Sequence, residues 1–553
     1  MADVPIRPEK PRHVEFSFSE PPSISSSRSG SPAPSMASRE DFYMRKTIQQ
    51  DDPGCRPMDV YDATLPPWRA AVRRKLLATI RNESVLLAKM QDAIRTPWLD
   101  AYFVHSSALG THTFFMTFLP MLFFFGYDEL GRGLIIVIGL GIYLTSVVKD
   151  LFCSPRPFAP PVTRMTIGTH HLEYGMPSTH SANSVSLALF FFALIHPLAF
   201  PVAGTAPALS VPVYVALTAS LVIYATSIVF GRLYTAMHSF TDCAVGVAIG
   251  VLVWIAHSSF RGIAVSLALS PAHTYSTTLL RGWGWGAYVD EWILRTPSSL
   301  RVPLTLIPLG LLAVNQHPQP VDDCPCFEDA IAIGSVMLGM LVGRWGAVRW
   351  GMLVPTSVMP GSGWVLGADG WAQVPRGWGD VGVWWALALG KMIFGIAAIF
   401  IWRLLAKAAL HRALPPTFRF LATLMRLPHR RFYTPATEYA RVPPGAALRP
   451  IPSVIDLPST AGVEIGGIGS GSGIDGDGSG NGKGGLRRRA EAIEAARPST
   501  GMDDEDVDDG SEVKHYDADV LTKVIVYAGI AVIACELMPL LFQRIGWGLR
   551  SSP

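Results

Sequence analysis

Charge is what this sequence has least of. Asp, Glu, Lys and Arg make up only 16% of its 553 residues, where soluble domains carry roughly a quarter. With 49% hydrophobic residues and a mean hydropathy of +0.30, that shortage excludes an ordinary soluble globular fold and places the chain among polytopic membrane proteins. The two signs nearly cancel, leaving a net charge of +3, so nothing points to nucleic acid as a partner. Cysteine is sparse too. Cys55, Cys153, Cys243, Cys324, Cys326 and Cys535 are scattered, which excludes a disulfide framework, and Cys324-Pro-Cys326 lacks a second pair to complete a zinc site. The opening residues lack the apolar run of a cleavable signal peptide, so the first transmembrane helix is expected to serve as the insertion signal.

What the chain does have is apolar runs. They predict an all-α membrane bundle of about 8–10 transmembrane helices, with spans near 107–127, 133–152, 181–200, 211–231, 240–258, 300–317, 329–346, 382–404 and 520–542. A further re-entrant segment is expected near "GIAVSLALS". Residues 1–65 are rich in Ser, Pro, Arg and Asp and read as a disordered tail. Residues 66–106 read as a basic amphipathic helical segment, lying either in the interface plane or packed on the domain. The catalytic core is expected over 107–258 and additional helices over 259–404. A basic, then proline-rich, glycine-rich and acidic insertion spans 405–519, and the last helix falls within 520–545.

Three polar clusters interrupt the apolar chain. They are Lys149 with Arg156-Pro157, then Pro177-Ser178-Thr179-His180, then Arg232, His238 and Asp242. Each lies at a span end, and because spans alternate direction all of these ends fall at one membrane face. Lys149, Arg156 and Arg232 offer fixed positive charge and forked donors to a phosphate. Ser178, Thr179 and the amides opening the third span add an anion site at a helix N-terminus. His238 and Asp242 stand at i and i+4, so Asp242 is expected to hold one ring nitrogen and leave the other as a nucleophile. His180 would protonate the leaving oxygen and then activate water. The cations supply the electrostatic stabilisation, so no metal or cofactor is called for. A lone His or Arg at a span end is more often an interfacial anchor; three clusters in order on one face are not so explained. Phe190, Phe191 and Phe192 either line a groove for a lipid tail or pack against neighbouring helices.

The pattern Lys-x6-Arg-Pro, Pro-Ser-x-His, Arg-x5-His-x3-Asp resembles the type 2 phosphatidic acid phosphatase superfamily, over Lys149 to Asp242. Two positions depart from it: Thr179 stands where the family has Gly, and Gly231 where it has Ser before the Arg. "MPSTHS", "GRLYTAMHSFTD" and "CPCFEDAIA" (Cys324 to Ala332) resemble the sphingosine-1-phosphate or long-chain base phosphate phosphatase branch. That resemblance implies a multi-pass endoplasmic reticulum enzyme, of fungal appearance, acting on phosphorylated sphingoid lipids. Phosphatidate or polyprenyl diphosphate phosphatase, a lipid phosphotransferase, and an inactive scaffold or transporter of the same architecture are the alternatives. The Arg-rich flanks put the site in the cytosol by the positive-inside rule, whereas the resemblance implies the lumen.

Overall fold

The structure is a computed structural model that describes residues 52–106, 112–165, 173–201, 206–270, 273–352, 364–367, 370–373, 377–428, 430–435 and 515–547. The serine-rich head up to residue 51 and the glycine-rich and acidic stretches within 436–514 lie outside the described residues. The expected tail nevertheless ends earlier than residue 65. Helix α1 (Met58–Thr64) follows an ordered turn, because Tyr61 is buried and its hydroxyl, like the Gly54 amide, donates to the Asp322 carboxylate at 2.7 and 2.9 Å.

Helix α2 (Pro67–Ile94) buries Ala70, Arg73, Leu77, Ile80, Ser84, Leu87 and Gln91. Steps of three and four place these on one stripe, and the stripe faces protein, which decides between the two readings of this segment. Even its polar members are used. Arg73 donates to the carbonyls of Cys153 and Gly54, and Gln91 donates to those of Thr163 and Tyr234. The helix is a strap across one end of the bundle. Helix α3 (Pro97–Ser106) follows it.

The membrane helices come next: α4 (His112–Phe124), α5 (Asp128–Phe152), α6 (Thr179–Ala199), α7 (Val211–Tyr234) and α8 (Phe240–His257). Then come the hairpin β1 (Ile263–Ser270) with β2 (His273–Leu279), α9 (Trp285–Arg295), α10 (Arg301–Asn315) and α11 (Cys326–Arg349). The chain continues through the hairpin β3 (Trp364–Gly367) with β4 (Gly370–Gln373), α12 (Trp378–Leu424), and the short parallel pair β5 (Tyr433–Thr434) and β6 (His515–Tyr516). It ends in α13 (Asp517–Val532), a π-helical segment (Ile533–Leu537) and α14 (Met538–Arg544).

Seven of these elements among the described residues are long and apolar enough to cross a membrane, counting Asp517–Arg544 as one. The other two expected spans are the shorter helices α4 and α10, of 13 and 15 residues. At 1.5 Å per residue these reach roughly 20–22 Å, short of the ~30 Å hydrocarbon core. Helix α10 still joins the two ends of its neighbours. Trp345 Nε1 on the last turns of α11 donates to Ser299 O at 3.1 Å, and the Tyr143 hydroxyl on α5 donates to Ala313 O at 3.0 Å.

Two expectations are corrected. "GIAVSLALS" is not re-entrant: it forms β1, antiparallel to β2 with Ile263 opposite Leu279. Its Ile, Val and Leu alternate with Ala and Ser, a period of two rather than 3.6. The insertion does not begin at 405, since α12 runs 47 residues to Leu424, through "LAKAALHRAL", a run of strong helix formers. Beyond it Arg430 donates to the carbonyls of His317 and Pro318 at 3.0 and 3.1 Å and stands over the Phe327 ring at 3.4 Å.

Helices α6 and α8 approach closely through small residues. A Cβ on Gly246 would fall 2.5 Å from Ser178 O, and one on Gly250 2.3 Å from Ala182 O, the small-residue contact that draws membrane helices together. Phe190 lies in the main core, with Phe191 and Phe192 packed against it, so these rings pack the bundle.

Arg430→Ala is expected to destabilise the protein by about 2–4 kcal/mol, from two hydrogen bonds of a charged donor and one cation–π contact. Replacing residues 440–510 with a short flexible linker should shift the melting temperature by no more than a degree or two. Thermal unfolding in detergent measures both.

Candidate active site

The three clusters meet at the end of the bundle strapped by α2. Lys149 is on the last turn of α5 and buried. The helix stops at Cys153, which takes the left-handed conformation at φ 49° and so turns the chain back towards Arg156. Arg232 sits on the last turn of α7, also buried. Among the described residues its Nε has no hydrogen-bond acceptor, an expensive state for a buried cation and one a phosphate oxygen would relieve.

His238 lies between α7 and α8 and is almost wholly buried. Its Nδ1 is 2.8 Å from Gly175 O, and its Nε2 is 3.2 Å from Arg156 Nη1. A carbonyl can only accept, so Nδ1 carries the proton and Nε2 the lone pair. Burial first, then the charges of Arg156, Arg232, Lys149 and His180, hold His238 well below the usual histidine range. The ring is therefore neutral near pH 7, the state a nucleophile needs. Gly175 fits only as glycine, since a Cβ there would lie 2.4 Å from Pro155 O.

Asp242 does not hold the ring as the i, i+4 spacing predicts. Its Oδ2 is 3.9 Å from His238 Nδ1, too far for a hydrogen bond. It instead accepts from the Ser239 amide at 2.8 Å, while Ser239 Oγ accepts from the Asp242 amide at 3.2 Å. This capping box opens α8. His238 precedes the N-cap, so helical periodicity never reaches it. Asp242 acts by fixing the turn that carries His238 and by adding negative charge nearby. Its own carbonyl accepts from the Ser178 amide at 3.0 Å, which ties the second cluster to the third.

Ser178 and Thr179 are also committed. Ser178 is the N-cap of α6, its oxygen accepting from the amide and hydroxyl of Ser181 at 3.3 and 2.9 Å. Thr179 Oγ1 is 3.0 Å from Thr145 Oγ1 on α5. Both hydroxyls thus help to build the helix start, and because Ser178 Oγ only accepts in these bonds, its O–H and the first α6 amides are the donors this position can offer an anion. His180 follows in the first turn, half-buried, close enough for its charge to act on His238. Gly231 packs against Phe103, to which a Cβ would come within 3.0 Å; the ring stands where a serine side chain would begin.

Several residues here had no motif to announce them. Glu173 forms an ion pair with Lys149. Its carboxylate is 3.8 Å from Arg156 Nη2, and its carbonyl accepts from Arg156 Nε at 3.0 Å. The carboxylate therefore rests against the cations that a phosphate would need. Burial pulls Arg156 down to about 10, with Glu173 opposing, so the guanidinium stays charged. Glu83 on α2 accepts from Thr241, amide and hydroxyl, at 3.1 and 2.6 Å, holding the start of α8. The Tyr174 hydroxyl lies 2.9 Å from Asp322 Oδ2. A lone acidic or aromatic residue in a loop gives no periodic or spacing signal, which is why these were not singled out.

A neutral, oriented histidine thus lies among buried cations at the ends of apolar helices, an arrangement suited to phosphoryl transfer. The family model described as the PAP2 superfamily matches residues 130–264. A dihydrosphingosine 1-phosphate phosphatase of Schizosaccharomyces pombe is 31% identical over 355 residues, 64% of this chain and 73% of that protein. One of Saccharomyces cerevisiae is 32% identical over 306 residues, 54% of this chain and 66%, just under two thirds, of that protein. The lipid phosphate phosphatase delta of Arabidopsis thaliana is 36% identical over 287 residues, 51% of this chain and 59% of that protein. The chain belongs to the PAP2 superfamily.

Glu173→Gln is expected to tighten competitive inhibition by inorganic phosphate or vanadate by roughly five- to tenfold, since an anion would no longer compete with the carboxylate for the cations. Weaker inhibition would mean that Glu173 organises the cations rather than occupying them. Inhibition constants for wild type and variant decide it.

Proposed function

We propose that the protein is a multi-pass lipid phosphate phosphatase of the endoplasmic reticulum. It would hydrolyse the phosphomonoester of sphingoid long-chain base phosphates: sphingosine-1-phosphate, dihydrosphingosine-1-phosphate and phytosphingosine-1-phosphate. The observation that carries the reading is His238, its Nδ1 proton given to Gly175 O and its Nε2 turned to Arg156 among Lys149 and Arg232. The sphingoid substrate and the compartment rest on likeness to the two yeast proteins.

In this reading the phosphate displaces Glu173 and takes up Lys149, Arg156 and Arg232. Arg156 Nη1 moves from Nε2 to a phosphate oxygen, which frees the lone pair. Nε2 attacks phosphorus as the bond to the alkyl oxygen breaks, and His180 gives the departing alkoxide its proton. The phosphohistidine is then hydrolysed by water that neutral His180 deprotonates, releasing phosphate and restoring both rings. Asp242 and Gly175 favour the positive imidazole ring as the bond forms. Assay of the purified protein on sphingoid phosphates, phosphatidate and polyprenyl diphosphates, with and without acceptor alcohols, tests the substrate class and separates hydrolysis from transfer.

The two histidines should separate kinetically. His238→Ala should abolish turnover and the trapped phosphoenzyme on every substrate. His180→Ala should lose about 10²–10⁴-fold on a long-chain phosphate, the range of general acid assistance. It should recover part of that loss on a lipid-tailed nitrophenyl phosphate, whose leaving group needs no proton. Labelled phosphohistidine trapped in His238→Ala but not in His180→Ala would reverse the roles.

The depressed ionisation of His238 sets a pH expectation. The free ring stays neutral below its ordinary value of about 6.5, so the acid limb of kcat/KM belonging to this group should lie below that value. The profile of kcat/KM, corrected for the ionisation of the substrate phosphate, reports the free enzyme. An uncorrected acid limb at or above 6.5 that persists with a substrate of lower phosphate pKa would contradict it.

A further inference from the structure

A second cluster of buried reactive groups lies on the other side of Lys149, and the catalytic reading does not use it. Asp150 is completely buried, and among the described residues neither carboxylate oxygen has a hydrogen-bond partner. Its nearest ring is His317, with Nδ1 3.5 Å from Asp150 Oδ2, beyond a good hydrogen bond. His317 Nδ1 is already 3.1 Å from Pro318 O. Facing the carboxylate are Cys324 and Cys326, both buried and joined to each other as a disulfide. One oxygen of Asp150 and the two sulfurs all lie within 4.8 Å of one another.

We infer that Cys324, Cys326 and Asp150 form a zinc site when the disulfide is opened. The sequence offers one Cys-x-Cys and no second pair, but the fold brings a carboxylate to it from the end of α5. An orphaned buried carboxylate asks for an ion or water, and two thiolates with one carboxylate are a donor set that zinc accepts. Zinc holds such donors at about 2.0–2.3 Å, so after reduction the two sulfurs part to roughly 3.7 Å while the carboxylate oxygen, already within 4.8 Å of both, closes in. A solvent molecule takes the fourth position. A dithiol reductant gives two electrons and two protons to the disulfide and is itself oxidised to a disulfide. Zinc then binds the two sulfurs as both thiol protons leave. The site would join the end of α5, beside Lys149, to the first turn of α11.

Metal content of the full chain in nanodiscs tests this without reference to turnover. After reduction with a phosphine, incubation with zinc and desalting, the wild type should retain one zinc per chain. The same protein kept oxidised should retain none. Cobalt in place of zinc should give a near-ultraviolet thiolate charge-transfer band in the reduced wild type. That band should be lost in the Cys324→Ser/Cys326→Ser double variant and weakened in Asp150→Asn. A reduced wild type that stays metal-free in excess zinc, or metal retained equally by the oxidised protein or the double variant, would overturn the assignment.

Discussion

Three cationic side chains buried together are the constraint to which the rest of the site answers. Lys149, Arg156 and Arg232 have each lost hydration, and like charges in a medium of low dielectric repel strongly. Such a group stands only with an anion among it. In the structure that anion is the Glu173 carboxylate, paired with Lys149 and near Arg156. It carries one negative charge, and Asp242 and Asp52 add to it at Arg156. A phosphate monoester near neutral pH brings almost two, with oxygens enough for forked donors on several sides. In the proposed reaction, a phosphate in place of Glu173 would therefore bring more negative charge to the same cations. Burial, with the same cations adding to it, depresses His238 and keeps its lone pair available. Binding and activation are two consequences of one cluster.

The place of the candidate site was legible because charged residues at the ends of apolar runs are conspicuous. Lys149, Arg156, His180, Arg232 and His238 are all at one end of the bundle, where alternation of spans puts them. What the sequence concealed was how each group is held. Asp242 and His238 are four apart, but Ser239 caps α8 between them, so only one of the two is helical and the shared-face rule has nothing to act on. Ser178 and Thr179 were legible as hydroxyls, but not the cap that Ser178 forms or the bond of Thr179 to Thr145. Helix α2 shows the same limit in the fold. Its stripe was visible, but a stripe of Arg, Ser, Gln and aliphatic residues fits a membrane surface and a protein surface alike. The bonds of Arg73 and Gln91 to loop carbonyls decide the matter, and those depend on the placement of distant loops. The hairpin of β1 and β2 was misread for a simpler reason: an apolar octet was taken by composition, and its period of two was not weighed.

The proposed nucleophile, His238, is oriented by a carbonyl, and that moves the source of its precision into the backbone. Gly175 O must stay within hydrogen-bond reach of His238 Nδ1, and Gly175 has no side chain with which to fix itself. Its neighbours do so. On one side Glu173 is tied to Lys149 and Arg156. On the other, Tyr174 is buried and its hydroxyl meets Asp322, 148 positions away in sequence. Asp322 Oδ2 also accepts from Tyr61 and from the Gly54 amide, and Arg56 approaches its other oxygen at 3.0 Å. One carboxylate thus gathers the segment before α2, the loop that positions the nucleophile, and the approach to α11. A buried acid bound by several donors is rigid, because moving any one of them leaves a charge poorly solvated. The segment that includes Asp322 and Cys324-Pro-Cys326 lies outside the three motifs, yet the position of the reacting nitrogen depends on it.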